Sequence, residues 1–177
     1  MRKEFQVISD YFSPLAREEG AFKLLDDAAV LNSDYNKQFV VSTDMLVSGV
    51  HFFPTDDPED IASKSIRVNI SDIVSKGATP KYYFLSIALP EAIEDDWLKS
   101  FSKGLRLTQE KFEVSLMGGD TVSTNGLLTI NIVCIGTIDK NKMIRRNGAK
   151  IGDDIFVSGF IGDSKIGLEV IRGNITA

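Results

Sequence analysis

A chain of 177 residues, 43% hydrophobic and 25% charged, has a globular composition, neither disordered nor fibrous. Its net charge is −5 and it contains no dense Lys/Arg run, so it lacks the basic footprint of a nucleic-acid binder. The N-terminus has no signal-peptide core, no apolar run approaches the roughly 20 residues that cross a membrane, and the lone Cys134 makes neither an intrachain disulfide nor a cysteine-based zinc site, so a soluble cytoplasmic protein is expected.

Phe5, Ile8 and Phe12 stand at helical spacing, which predicts a short amphipathic helix ending near Ser13-Pro14. Ala28 to Leu31 and Gln38 to Thr43 read as strands. Asp57-Pro58-Glu59 is a strong helix start, with a cap, a proline in the first turn and acids behind it. That helix is expected to run to Lys76, stop at Gly77 and bury Ile66, Ile70, Ile73 and Val74. Tyr82 to Leu89 reads as a strand and Glu94 to Phe112 as a second long helix. Val114 to Met117 is a strand leading into a Gly118-Gly119-Asp120 turn. Leu127 to Ile138 is a long strand, 139–153 is loop, Ile155 to Ser158 a further strand, and Ser164 begins a helix.

Helices alternating with strands, several of them sequence-adjacent, predict an α+β fold: a mostly antiparallel sheet with helices on one face. The composition break near residue 140 divides the chain into a first domain over 1–140 and a second segment over 141–177. That segment is too short to bury a core of its own, and reads as a linker and the start of another domain.

Acids stand against apolar or glycine-rich sequence in four places: Asp26-Asp27, Asp44, Asp72 and Asp120. Singly, each has an ordinary reading as a turn residue, a loop cap or part of a solvated helix face. Ser65, Asn69, Asp72 and Lys76 in particular read as the solvent stripe of the first long helix. Taken together, they suggest strand ends converging on one cleft. Several aspartates repel one another unless cations stand between them, and hard divalent cations take such oxygen ligands together with phosphates. Glycines beside Asp120 let backbone N–H groups approach a phosphate, and Arg145 or Arg146 offers a planar cationic fork. Neither GxxxxGK(S/T) nor GxGxxG occurs, so nucleotide binding would run through metals.

Six motifs then stand in a recognisable order: DDAAVL (26–31), VVSTDMLVSGVHF (40–52), NISD (69–72), LMGGDT (116–121), RRNGAKIGDD (145–154) and SGFIGDS (158–164). This pattern closely resembles the thiamine-monophosphate kinases, within the aminoimidazole-ribonucleotide-synthetase-like superfamily, and covers essentially the whole chain. STD-x-L-V-x-G-x-H-F is its most discriminating part. The resemblance implies ATP-dependent phosphorylation of thiamine monophosphate by direct in-line transfer with several Mg²⁺ ions. It implies Asp27, Ser42, Thr43, Asp44, Asp72 and Asp120 as metal ligands, with Asp26 assisting. It implies Gly119, Asp120 and Arg146 as ATP contacts and His51 as the thiamine monophosphate contact. It implies a homodimer formed through the sheet of the first domain. The sequence departs from the family in having Leu25 where glycine commonly precedes the paired acids, and in ending just inside the family's second domain. Two other readings stand beside it. One is another ATP-dependent enzyme of the superfamily, although the reactive N-terminal Cys of selenophosphate synthetases has no counterpart here. The other is a non-catalytic nucleotide-binding dimerisation module.

Overall fold

The computed structural model describes residues 4–26, 28–31 and 34–176. The chain divides into two units, Met1–Arg145 and Arg146–Ala177.

The first unit is built on four strands: β1 (Lys37–Val47), β2 (Thr79–Pro90), β3 (Ser115–Thr124) and β4 (Thr129–Asp139), in the order β1-β4-β2-β3. β4 pairs antiparallel with β1 and with β2, whereas β2 and β3 run parallel. The α+β expectation therefore stands, with a mixed sheet rather than a purely antiparallel one. The parallel pair follows from its connection: an 18-residue helix lies between β2 and β3, enough for a crossover. β1 and β3 are the two outer strands.

The N-terminal segment starts as α1 (Glu4–Val7), continues through a π-helical turn over Ile8–Phe12 and closes with a 3-10 turn over Ser13–Leu15. Its inner residues Val7, Tyr11, Phe12 and Leu15 join the core. The side chains of Ser102 and Gln109 reach back to the Tyr11 and Leu15 carbonyls and fasten it to α3 (Asp95–Phe112).

α2 (Pro58–Ser75) begins where its cap signal places it, with the Asp57 carboxylate accepting from the Glu59 N–H at 2.8 Å. It ends in a Gly77 at φ +74, with the Gly77 and Ala78 N–H groups returning to the Val74 and Ile73 carbonyls. Ile61, Ile66, Ile70 and Ile73 are buried, each contributing about 1.5–3 kcal/mol by leaving water. Two expectations for this helix change. Val74 faces solvent, and Ser65 and Asn69 are fully buried rather than solvated. Both donate within their own helix, Ser65 Oγ to the Ile61 carbonyl and Asn69 Nδ2 to the Ser65 carbonyl, while Asn69 Oδ1 is buried without a hydrogen-bond partner among the described residues. α3 lies against α2 at Gly104, where a Cβ would come within 2.4 Å of the Glu59 carbonyl oxygen.

Three further expectations fail. Ala28 to Leu31 forms no strand; it lies over Met117, Tyr82 and Phe84 and is held by the Val30 N–H on the Gly20 carbonyl. Gly118-Gly119-Asp120 is no turn, because β3 continues through it after a register shift against β2 at Met117. Ile155 to Ser158 forms no strand in the second unit, and all four residues are exposed. Among the described residues of that unit there is one helix, α4 (Asp163–Ile171).

Candidate metal and phosphate site

β1 alternates, and the alternation sorts the candidate residues. Val40, Ser42, Asp44 and Leu46 face the helices, while Phe39, Val41, Thr43 and Met45 face the open side. Ser42 Oγ donates to Asp72 Oδ2 of α2 at 2.9 Å. Asp44 follows on the same face, and Asp44 and Asp72 line a hollow of about 520 Å³ with Asp60, Lys64, Arg67 and Ser71. Thr43 points the other way, donating to Asn131 Oδ1 of β4 at 3.1 Å.

Beyond β1 the chain makes a tight turn at Gly49 (φ +77) that carries His51. The Val50 and His51 N–H groups both return to the Val47 carbonyl, and the Val47 N–H donates to His51 Nδ1 at 3.0 Å. Lys64 of α2 donates its ammonium to the His51 carbonyl. Ser48 and Phe52 bridge the base of the turn, and Phe52 is buried. His51 is therefore an anchored side chain and not a loose loop residue.

The second group stands on β3. As an outer strand it turns alternate backbone N–H and C=O groups away from β2. Gly119 is pressed against β2 so closely that a Cβ would fall 1.7 Å from the Leu85 carbonyl oxygen. Gly119 and Asp120 border a hollow of about 280 Å³ with Phe5, Ile8, Leu25 and Asp26. Leu25, at the family's usual glycine position, is exposed with φ −100, a conformation open to any residue. Asp27 lies outside the described residues. Arg146 opens the second unit.

Asp44 and Asp120 thus stand inside strands rather than at their ends, Asp72 stands on α2 and Asp26 in a bend outside the sheet, and the acids fall in two groups. Ser42, Asp44 and Asp72 are at the β1 edge; Asp26, Gly119 and Asp120 are at the β3 edge. Three strand spacings separate the edges, about 14 Å. Magnesium binds oxygen at about 2.1 Å, so one ion cannot join the groups within one chain. Among the described residues no three His, Cys, Asp or Glu side chains form a ready metal cluster. Lys64, Arg67 and Asp60 escaped the sequence reading. The signal available for them was the polar face of α2, where 60, 64, 67 and 71 recur at helical spacing.

Residues 25–138 match the model of the AIR synthase related protein N-terminal domain. The chain belongs to this family. It is 40% identical over 170 residues to the thiamine-monophosphate kinase of Haemophilus influenzae, covering 95% of this chain and 51% of that relative. The thiamine-monophosphate kinase structure from Stenotrophomonas maltophilia K279a superposes with a TM-score of 0.77 at 37% identity, over 85% of this chain and 46% of that one. AaThiL complexed with AMPPCP and TMP gives a TM-score of 0.74 at 29% identity, over 98% of this chain and 51% of that one. The chain spans about half the length of the relatives it matches.

Proposed function

We propose that this chain carries the N-terminal, ATP- and metal-binding part of a kinase that transfers the γ-phosphoryl of ATP to thiamine monophosphate, giving thiamine diphosphate and ADP. The carrying observation is the 40% identity to a thiamine-monophosphate kinase along 95% of the chain. The hollow lined by Asp44 and Asp72, with Ser42 bonded to the Asp72 carboxylate and His51 on the turn beyond β1, supports it. Residues 1–140 form the ATP-, metal- and dimer-forming domain in this reading, 141–177 the linker and start of the next, and the location is cytoplasmic.

The donor set suits magnesium. Every candidate ligand at the β1 edge is an oxygen, and two carboxylates with waters and phosphates complete such a site. Bound there, magnesium would offset the repulsion between two phosphates. Asp44 and Asp72 would hold it, with Ser42 fixing the Asp72 carboxylate. Gly119 and Asp120 would take up ATP; by the family resemblance Arg146 would contact ATP, Asp27 and Asp120 would be further metal ligands with Asp26 assisting, and Thr43, whose side chain faces away from the hollow, would assist through its backbone oxygen. His51 would contact the acceptor. Positioning and charge neutralisation are most of what phosphoryl transfer asks of a protein.

The separation of the two groups favours a homodimer. The open face of the sheet exposes Phe39, Val41 and Met45 on β1 and Val122 on β3. Two copies packed through it about an axis along the strands would set β1 of one against β3 of its partner. Each complete site would then draw its two acidic groups from two chains.

Calorimetry with ATP tests the binding. Heat that requires Mg²⁺ is expected, and Asp44→Asn should weaken it about tenfold or more, as for a lost charge-assisted ligand. Absence of magnesium-dependent binding by the folded chain overturns the reading. Formation of thiamine diphosphate tests the transfer itself.

A further inference from the structure

The contacts around His51 fix more than its place. Nδ1 accepts the Val47 N–H, so the neutral ring carries its proton on Nε2. The residue is exposed, so that N–H is available to an external acceptor. The turn is held by two backbone bonds onto the Val47 carbonyl and from outside by Lys64, whose ammonium meets the His51 carbonyl. Among the described residues Lys64 has no carboxylate partner, although Asp60, Asp44 and Asp72 share its hollow. Its charge is therefore not consumed in an ion pair. One helical turn on, Arg67 lies over the Phe112 ring and likewise makes no ion pair among the described residues.

We propose that Lys64 is a positioning residue for His51: it clamps the turn so that Nε2–H is presented as a fixed donor to a phosphate oxygen of the acceptor. This rests on the function proposed above for its ligand, but not for its geometry. A ring free to exchange tautomers would offer an acceptor nitrogen part of the time, which repels an anion. A ring held by Val47 offers only a donor. The Lys64 charge beside it raises the local positive potential without closing onto a carboxylate. α2 is the natural clamp, because the same helix carries Asp72 and so links the acceptor contact to the metal side of the hollow.

His51 is the only histidine, so its imidazole nitrogens can be read without ambiguity by nitrogen-15 NMR of the whole chain. A protonated Nε2 and an unprotonated Nδ1 are expected. Lys64→Met should average the two tautomers, and Lys64→Arg should restore the single one. In parallel, thiamine monophosphate and MgATP are titrated separately. Lys64→Met should weaken thiamine monophosphate binding about tenfold and leave MgATP affinity unchanged. His51→Asn, whose Oδ1 can still accept from Val47, should match it without disturbing the fold, as followed by circular dichroism. Protonation on Nδ1, or a Lys64→Met chain with the tautomer and acceptor affinity of the original, overturns the positioning role. A chain with the Nε2–H tautomer, dependent on Lys64, that binds no thiamine monophosphate keeps the geometry and overturns the proposed substrate instead.

Discussion

Gly119 is the residue with least freedom to change. Its φ of +155 and the Leu85 carbonyl in its Cβ direction leave no room for a methyl group. Gly119→Ala should cost about 2 kcal/mol or more, since the obstruction is backbone and cannot turn aside; urea unfolding measures this. Cys134 shows the opposite case, a residue whose chemistry is suppressed. It is buried in β4, and burial pushes its thiol from 9.0 up to about 11. The native chain should resist a thiol reagent at pH 8 and react once denatured. The sign of the pH dependence follows. The unfolded thiol loses its proton from about pH 9, before the folded one at about 11, so this residue's stability contribution falls as pH rises through that window. Both properties depend on neighbours distant in sequence. The glycine was legible as a phosphate-loop candidate, but the Leu85 contact that makes it obligatory was not.

At the scale of elements, boundaries written in local chemistry were legible. Asp57-Pro58-Glu59 started α2 and Gly77 ended it, because capping and positive φ are decided within a few residues. Asp57→Ala should cost about 1 kcal/mol, read as a lower urea midpoint, because it removes the acceptor for the Glu59 N–H. The same substitution also removes the Ser100 contact to α3 at 3.2 Å, so the cost should exceed that of an isolated cap. Elements defined by partners were less legible. Ala28 to Leu31 and Ile155 to Ser158 have strand composition but no ladder partner among the described residues. Conversely, Gly118 to Asp120 has turn composition, yet the β2 backbone pulls it into β3. The buried Ser65 and Asn69 teach the same lesson: their helix accepts the Ser65 hydroxyl and the Asn69 amide N–H, so polarity alone did not place them outside.

At the scale of the molecule, the open face of the sheet exposes the apolar side chains Phe39, Val41, Met45 and Val122. If two copies join through it, Val41→Lys with Met45→Lys should convert a dimer to a monomer in sedimentation equilibrium, while circular dichroism keeps the fold. A chain that is monomeric before substitution, or a dimer that survives it, would remove this face as the contact. The sequence by itself determined the helix boundaries of α2 and α3, the identity of the acids and the order of motifs that marks the family. These rest on short-range chemistry and on residue type. Only the tertiary structure decided that Ser42, Asp44 and Asp72 meet, that Asp120 stands at the opposite sheet edge, and that Lys64 reaches the His51 turn. Those facts depend on strand order and on the face each side chain takes, and both are settled by how helices and strands share one core rather than by any local stretch of chain.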